Sequence, residues 1–321
     1  MNEVLKRVSD IGIIPVIAFN SVEEAVPLCK ALVAGGLPAA EVTFRTACAE
    51  ECIKTISREV PDMLLGAGTV LTIDQADRAM AAGASFIVAP GYDPNVTRHV
   101  IDKGGIMMPG TATSGEMQQA MNQGCEALKF FPAEANGGVS MLKNIGAALK
   151  TAKWMCTGGV NAKNVNDYLG YDQIIAVGGT WMCKSDMIKA GEWDRITAMC
   201  KEAVQTMLGF TLKHVGINCG DAEKAANVAK AFGAIFGLPY KEGNSSDFAG
   251  TVVECCKVKK PGANGHIAIG TNNVDRAIYH LGRQGVKFLD TDKVVDAATG
   301  RTKAVYLADD FGGFAVHLVR N

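Results

Sequence analysis

The sequence has no basic or acidic tail, no long apolar run and no regular spacing of cysteines. Its 321 residues include 32 lysines and arginines and 33 aspartates and glutamates, so the formal net charge is −1. Binding to nucleic acid or to an anionic membrane, which needs a basic stripe, therefore has no support. The opening segment MNEVLKRVSD is too polar for a signal peptide, and no run has the length of a membrane span. We expect a cytoplasmic protein that binds neither nucleic acid nor membrane.

The cysteines are numerous enough for a disulfide framework, but their positions do not indicate one. Cys48 and Cys52 are four residues apart without a second pair, and Cys255 and Cys256 are adjacent. Cysteine zinc sites usually use two spaced pairs, and disulfides are rare in cytosolic proteins. We therefore expect free thiols.

Short apolar runs alternate with amphipathic stretches of helical period between residues 11 and 209. The runs have the length of buried strands and read IGIIPVIAF, AAEVTFR, LLGAGTV, SFIVAP, GIMMPGT, ALKFFPA, KWMCTGG and QIIAVGG. Eight strand–helix units in about 200 residues are typical of the parallel (β/α)8, or TIM, barrel. The alternative is an open doubly wound sheet, which usually carries a glycine-rich fingerprint after its first strand; IGIIPVIAFNS lacks it. We predict an α/β fold with a TIM barrel over residues 1–208.

The helices between these strands have recognisable starts. Ser21 is followed three residues later by Glu24, and Thr72 by Gln75, which is the spacing of a capping box. The predicted starts are Ser21, Ala47, Thr72, Asp93, Ser114, Gly138, Asn161 and Lys184.

A different pattern begins after Leu208. A strand, a helix and short strands are predicted first, and the same order recurs from GHIAIG to the last strand, GFAVHLVR. This weak internal repeat has a period of about 50 residues. We predict a C-terminal α+β domain of two βαβββ units over residues 210–321, with the domain boundary between Met207 and Thr211.

Lys129 lies in the middle of the strand ALKFFPA, where a strongly hydrated ammonium group is not expected. Successive residues of a strand point to opposite faces, so Lys129 and Phe131 face the barrel interior and their neighbours face the helices. Burial disfavours the charged form of an amine, and an uncharged amine can form a Schiff base with a ketone. The alternative is a structural lysine that pairs with an interior carboxylate.

The strand EVTFR places three polar side chains on the inner face of the barrel or at its mouth, namely Glu41, Thr43 and Arg45. Glu41 can act as a general acid and base, or only as an ion-pair partner. The guanidinium of Arg45 can hold a substrate carboxylate, or close a salt bridge within the barrel. Thr69, which follows the glycines of GAGTV, can hydrogen-bond a substrate oxygen or stabilise a turn.

Two glycine-rich loops, CTGGV after the seventh strand and VGGT after the eighth, are predicted to expose backbone N–H groups at a helix start. Phosphate groups bind at this place in many TIM barrels. One Gly-Gly pair is a weak signal because glycines occur in most turns, but two pairs on adjacent strands are more specific. We expect a phosphate to bind at Gly158, Gly159, Gly179 and Thr180.

These side chains together suit a phosphorylated 2-keto acid as substrate. Its carboxylate and phosphate would be held at opposite ends, and its ketone would condense with Lys129. The protonated imine withdraws electrons, so the C3–C4 bond can break and leave an enamine. Glu41, directly or through water, would transfer the protons.

The strings EVTFRT, GAGTV, KFFPAE, TGGV and GGTW, in this order and spacing, resemble the 2-keto-3-deoxy-6-phosphogluconate / 4-hydroxy-2-oxoglutarate aldolase family. The resemblance covers residues 1–208. It implies a class I aldolase that needs no cofactor and usually forms homotrimers. The first substrate would give pyruvate and glyceraldehyde 3-phosphate, and the second would give pyruvate and glyoxylate.

The resemblance transfers the catalytic roles position by position. It makes Lys129 the Schiff-base lysine and Glu41 the carboxylate that transfers protons. It makes Arg45, assisted by Thr69, the ligand of the substrate carboxylate.

The resemblance also outlines a pocket. Pro90 and Phe131 would line it around the pyruvate part of the substrate, and Thr157 suits the gluconate-derived substrate. Two departures from the family pattern are visible. PGTATSGE follows the fifth strand where an apolar residue and a proline are expected, and Phe44 replaces the commoner leucine.

The two βαβββ units resemble the vicinal-oxygen-chelate superfamily of glyoxalase and bleomycin-resistance proteins. In that fold the metal ligands come from the first and last strands of each unit, and the matching positions here are His214, Glu254, His266 and His317. The resemblance implies a divalent metal such as Zn, Ni, Mn or Fe. The last ligand is usually glutamate, so His317 is a departure, and the domain could instead have lost its metal. The remaining histidines, His99 and His280, are expected at the surface.

Two other functions are compatible with the sequence. In the first, the barrel is a phosphate-binding isomerase or decarboxylase in which Lys129 only stabilises charge. In the second, the activity is that of a metal-dependent lyase or isomerase located in residues 210–321. Borohydride distinguishes an aldolase from the first alternative because it reduces only an imine, and a chelator tests the second.

Overall fold

The computed structural model describes residues 1–321, except for the side chain of Asp292. The chain forms two compact units, Met1–Met207 and Leu208–Asn321. All ten cysteines are free thiols, as their spacing predicted. None of the described helices is both long enough and apolar enough to cross a membrane.

The first unit contains nine parallel strands and the helices that connect them. The strands are β1 (Ile13–Ile17), β2 (Ala39–Thr43), β3 (Leu64–Gly68), β4 (Phe86–Val88), β5 (Met107–Met108), β6 (Gly110–Thr111), β7 (Leu128–Phe130), β8 (Trp154–Thr157) and β9 (Ile174–Gly179). The helices are α1 (Glu3–Ile11), α2 (Ala25–Ala34), α3 (Ala49–Glu59), α4 (Ile73–Ala82), α5 (Pro94–Asp102), α6 (Ser114–Asn122), α7 (Gly138–Ala148), α8 (Val165–Leu169), α9 (Ser185–Lys189) and α10 (Trp193–Leu208). Every residue of the nine strands is buried, as expected of a parallel sheet covered on both faces.

The sheet closes into a barrel at Pro109. Its strand order is β5–β4–β3–β2–β1–β9–β8–β7–β6, and the two end strands of this order are separated in sequence by Pro109 alone. They are therefore two halves of one barrel strand, which is interrupted because proline has no N–H for the ladder. The Pro109 carbonyl still accepts a hydrogen bond from the N–H of Lys129 at 2.9 Å. The predicted TIM barrel is confirmed.

Two helix starts differ from the prediction by a full turn. The helix expected from Ser21 begins at Ala25, because the Glu24 carboxylate accepts a hydrogen bond from the N–H of Asn20 and no capping box forms at Ser21. The helix expected from Asn161, α8, begins at Val165. The loop after β8 is therefore longer than the sequence indicated.

The second unit contains an eight-stranded sheet and two helices. In chain order its elements are β10 (Thr211–Asn218), α11 (Ala222–Phe236), β11 (Tyr240–Glu242), β12 (Ser246–Ala249), β13 (Val253–Cys256), β14 (Gly265–Thr271), α12 (Val274–Gly282), β15 (Phe288–Val295), β16 (Thr302–Phe311) and β17 (Phe314–Arg320). This is the predicted pair of βαβββ units. The sheet order is β11–β12–β13–β10–β14–β17–β16–β15.

The middle of this sheet is formed by the first and last strands of both units. β10 pairs in parallel with β13, and β14 pairs in parallel with β17. The two units join through the antiparallel pairing of β10 with β14. Side chains from these four strands that point to the same face are therefore neighbours.

The two histidines expected at the surface are not fully exposed. His280 is only 2% exposed and shares the buried face of α12 with Arg276 and Ala277, which precede it by four and three residues. His99 is half-buried and hydrogen-bonds Asp77 at 2.8 Å. The prediction was wrong for His280 because this residue belongs to the buried face of the amphipathic helix α12.

Candidate active site

Lys129 and Glu41 meet inside the barrel. The Nζ atom of Lys129, from β7, lies 2.9 Å from Oε1 of Glu41, from β2. The two residues are 5% and 1% exposed. The other carboxylate oxygen, Glu41 Oε2, is buried and has no hydrogen-bond partner among the described residues. The Lys129 ammonium also lies 5.3 Å from the centre of the Phe131 ring.

This pair can supply an uncharged amine. The Glu41 carboxylate lies within hydrogen-bond distance of Lys129 Nζ and can accept its proton, which leaves the amine neutral. The neutral amine is a nucleophile. Because Glu41 Oε2 has no partner, it is available to exchange a proton with water or a ligand.

Two residues that were not predicted from the sequence support this pair. Gly68, the last residue of β3, faces Glu41 so closely that a Cβ atom there would lie 2.3 Å from Glu41 Oε1. Thr111 is buried beside the lysine and donates a hydrogen bond to the Lys129 carbonyl at 3.1 Å. A glycine inside a strand pattern indicates a close approach of another group, which is the signal that could have identified Gly68.

Arg45 extends from the end of β2 with an exposed side chain. Its Nε donates a hydrogen bond to Thr43 Oγ1 at 3.2 Å, and Thr43 Oγ1 donates to the Ile17 carbonyl at 3.0 Å. Within the described part of the chain, no carboxylate forms an ion pair with Arg45. The structure therefore does not show the salt bridge that the sequence left open, and the guanidinium is available to an anion.

Thr69 follows β3 in an unusual backbone conformation. With φ of 57°, it is the one non-glycine residue with a positive φ among the described residues. A β-branched residue there is strained by about 1–2 kcal/mol, and such strain often occurs at functional sites. Pro90, just beyond β4, and Phe131, just beyond β7, are half-buried.

The glycine pairs lie directly at the ends of β8 and β9. Gly158 and Gly159 have φ values of 99° and 87°, and neither N–H donates to a backbone acceptor within the described chain. Thr157 is buried, and its Oγ1 has no partner among the described residues. Gly179 is buried and Thr180 is exposed.

The prediction that these glycines stand at helix starts is wrong. α8 begins at Val165 and α9 at Ser185, each several residues beyond its glycine pair. Any anion held here would therefore be bound by the N–H groups of the loops rather than by a helix N-terminus.

A family model described as KDPG and KHG aldolase matches residues 4–199. The chain belongs to this family. A 2-dehydro-3-deoxy-phosphogluconate aldolase of Treponema pallidum (strain Nichols) is 41% identical over 203 residues, which are 63% of this chain and 95% of the relative. A KHG/KDPG aldolase of Escherichia coli (strain K12) is 40% identical over 193 residues, which are 60% of this chain and 91% of the relative.

A solved member of the KDPG and KHG aldolase family has the same fold. It is the KDPG aldolase of Legionella pneumophila, described with pyruvate captured at low pH as a covalent carbinolamine intermediate. It is 36% identical, with a TM-score of 0.60, and the match covers 62% of this chain and 97% of that one. The family resemblance of the first unit is thus confirmed, and the matched family model ends before the second unit begins.

Beyond the aldolase-family region, four side chains converge on one face of the second sheet. They come from the four central strands and are His214, Glu254, His266 and His317. The Nε2 atoms of His214 and His266 are 3.1 Å apart, and Glu254 Oε2 lies 3.0 and 3.2 Å from them. The His317 ring lies 5.0 Å from that of His266 and 5.7 Å from that of His214.

These side chains could hold a divalent metal. The three histidines each offer a nitrogen, and these atoms lie within 4.8 Å of one another. His317 Nε2 and His266 Nδ1 are buried without a hydrogen-bond partner in the described structure. Burial, followed by the nearby charges of His266 and His214, lowers the pKa of His317 to about 4. Metals require this neutral imidazole.

The residues around this cluster fix its geometry. Ser246, which is 2% exposed, donates a hydrogen bond to Glu254 Oε1 at 2.6 Å and leaves Oε2 for the histidines. Hydrogen bonds from His214, then from His266, hold the pKa of Glu254 well below its usual range. Cys256 was missed by the sequence analysis; its thiol forms a second possible ligand group with Glu254 and His266.

Proposed function

We propose that the first unit is a class I aldolase that cleaves 2-keto-3-deoxy-6-phosphogluconate to pyruvate and glyceraldehyde 3-phosphate, and also accepts 4-hydroxy-2-oxoglutarate. The observation that supports this most strongly is the buried contact between Lys129 Nζ and Glu41 Oε1 at 2.9 Å. An amine and a carboxylate at this distance are the groups that imine chemistry requires. The aldolase needs no cofactor.

The reaction begins with attack of the Lys129 amine on the C2 ketone. The resulting carbinolamine loses water to give a protonated imine. Glu41, directly or through water, removes the proton of the C4 hydroxyl, the C3–C4 bond breaks, and its electrons enter the imine to form an enamine. The aldehyde leaves, the enamine takes a proton at C3, and water hydrolyses the imine to release pyruvate and Lys129.

Substrate binding would place the two anionic ends at opposite sides of the barrel mouth. Arg45 and Thr69 would hold the carboxylate beside the lysine, with Pro90 and Phe131 lining the pyruvate part. The loop N–H groups at the ends of β8 and β9 would hold the phosphate. The residues of that end would be Gly158, Gly159, Gly179 and Thr180, and Thr157 would suit the gluconate-derived substrate.

Borohydride trapping tests this function. Incubation with pyruvate and borohydride, followed by peptide mass mapping, should find a reduced pyruvate adduct on Lys129. A Lys129→Met variant, which lacks the amine, should give none. If pyruvate binds to the unmodified chain but no adduct forms, the aldolase is excluded and a phosphate-binding isomerase or decarboxylase becomes the better interpretation.

We propose that the second unit is a vicinal-oxygen-chelate domain that holds a divalent metal at His214, Glu254, His266 and His317. The pairing of the first and last strands of each βαβββ unit supports this, as does the donor set, which suits Zn, Ni, Mn or Fe. Titration calorimetry with Zn²⁺ should show one site per chain. If EDTA abolishes KDPG cleavage, the reaction depends on the metal domain and the barrel assignment is wrong.

We also propose that the enzyme is a cytoplasmic homotrimer, the assembly that the family resemblance implies. Leu71 and Ile73, close to Thr69 in sequence, are 56% and 40% exposed, and contact with a second copy would remove this apolar surface from water. Light scattering after size exclusion should give three times the chain mass of 33.8 kDa. A mass of one chain would contradict the proposal.

A further inference from the structure

We infer that Thr43 is a positioning residue that orients Arg45 for the substrate carboxylate; this inference rests on the proposed aldolase function. Thr43 is the last residue of β2 and is 1% exposed. Its hydroxyl lies between the carbonyl of Ile17, at 3.0 Å, and the Nε of Arg45, at 3.2 Å.

The directions of these two hydrogen bonds are fixed by chemistry. A threonine hydroxyl has one proton to donate and lone pairs with which to accept. The Ile17 carbonyl can only accept, so it takes the hydroxyl proton. The Arg45 Nε–H can only donate, so the Thr43 oxygen accepts from it. The hydroxyl cannot rotate without breaking one of the two bonds.

This arrangement determines which nitrogens of Arg45 face a ligand. The guanidinium presents its N–H groups as a planar fork. Because Nε is held by Thr43, the terminal Nη1 and Nη2 remain, and two parallel N–H groups match the two oxygens of a carboxylate. The substrate carboxylate is therefore expected to approach Arg45 end-on.

The hydrogen bond to Thr43 preorganises the Arg45 side chain. An exposed arginine side chain has many rotamers, and fixing it when substrate binds costs conformational entropy. The hydrogen bond to Thr43 restricts that freedom before the substrate binds, because Thr43 is itself held by the carbonyl of Ile17 at the buried end of β1. Thr43 therefore acts through Arg45 and need not touch the substrate.

A double-mutant cycle tests this role. Thr43→Val keeps the shape of the side chain without its hydroxyl, and Arg45→Ala removes the partner. We expect Thr43→Val to lower kcat/KM for KDPG about tenfold, mainly through KM, and to have no further effect in the Arg45→Ala background. Thr43→Ser should restore the wild-type value. If Thr43→Val folds poorly, Thr43→Ala enters the same cycle.

A second measurement separates positioning from a purely structural role. Borohydride trapping is run with pyruvate and with methyl pyruvate, a ketone of the same kind whose ester carries no charge. Thr43→Val should reduce trapping of pyruvate and leave that of methyl pyruvate unchanged. Equal losses for both, or additive effects with Arg45→Ala, would overturn the inference. If the wild-type chain traps no pyruvate, the proposed function fails and the inference with it.

Discussion

The amine of Lys129 and the carboxylate of Glu41 form an ion pair inside the barrel, 2.9 Å apart, although the residues are 88 positions apart in sequence. Each group is the other's only ionic partner within the described chain. Removing either one leaves a buried charge without compensation, which costs about 3–5 kcal/mol of stability. The pair that we propose to be catalytic is therefore also one on which the stability of the fold depends.

Glu41→Gln tests the catalytic part of this relationship. The amide keeps the size of the side chain but cannot accept and return a proton, so kcat should fall by about 10²–10⁴. Exchange of the methyl protons of pyruvate with deuterated water, followed by NMR, should slow to a similar extent. Glu202→Gln, on the exposed surface of α10, is the matched control. Unchanged exchange in Glu41→Gln would assign the proton transfer to another group.

Gly68→Ala should damage the site without removing any of its groups. The added Cβ would lie 2.3 Å from Glu41 Oε1, so the carboxylate must move away from Lys129. We expect kcat to fall at least tenfold and the free energy of unfolding to decrease by about 1–3 kcal/mol. Gly115→Ala in α6, where a Cβ meets no other atom within 4 Å, should leave kcat unchanged and should not destabilise the fold.

Thr69→Gly should separate stability from activity. Glycine adopts a positive φ without strain, so the variant should be up to about 1 kcal/mol more stable, after the entropic cost of glycine is subtracted. Loss of the hydroxyl should raise KM for KDPG. Urea denaturation and steady-state kinetics measure the two effects. Thr55→Gly, inside α3, should only destabilise the fold. If Thr69→Gly also destabilises it, the backbone strain at Thr69 is not significant.

Gly216→Ala should impair the proposed metal site of the second unit. Gly216 lies opposite His266, and a Cβ there would come within 2.1 Å of the imidazole. Displacing this ring should lower Zn²⁺ affinity about 10- to 100-fold, as for other changes next to metal ligands. Gly282→Ala at the end of α12, which meets no atom within 4 Å, should bind Zn²⁺ normally. If Gly216→Ala binds Zn²⁺ as tightly as the wild-type chain, the metal binds elsewhere.

The capping box of α6 makes the stability of the fold depend on pH, and the direction of this dependence follows from the pKa of Glu116. The N–H of Ala112, then that of Thr113, bonds the Glu116 carboxylate and lowers its pKa below its ordinary value of 4.5. Such a group stabilises the fold above its unfolded pKa and loses this effect as the pH falls through its folded pKa. Glu116→Gln should therefore be about 1 kcal/mol less stable at neutral pH.

The difference between wild type and Glu116→Gln should shrink as the pH falls below about 4.5, and denaturation curves at several pH values measure it. Glu202→Gln is again the control. A difference that persists unchanged at low pH would show that the charge of Glu116 contributes nothing.

The barrel could be predicted because each of its strands is a short apolar run buried on both faces. The alternation of side chains along β2 and β7 placed Glu41 and Lys129 inside, and the structure brings them together. The two βαβββ units were visible as a repeat. In the same way, strand pairing brings together His214, Glu254, His266 and His317, although their role as ligands remains a prediction.

Other features depend on neighbours that the sequence does not reveal. The helix α1 was not predicted, although Asn2 caps it by accepting the N–H of Val4. The helix start predicted at Ser21 was wrong because the Glu24 carboxylate accepts the N–H of Asn20 rather than that of Ser21. The space that Gly68 leaves for a carboxylate is set by a residue on an adjacent strand. The positive φ of Thr69 could not be predicted from its residue type, because threonine disfavours this conformation.

The distance in sequence between Glu41 and Lys129 has a consequence for synthesis of the protein. The ribosome releases the chain from its N-terminus, so β2 emerges long before β7. Until β7 arrives, the Glu41 carboxylate has no amine beside it and is better kept in water than in a closed interior. A chain released only as far as β6 therefore contains Glu41 without Lys129, and its sheet cannot close because β7, β8 and β9 are still missing.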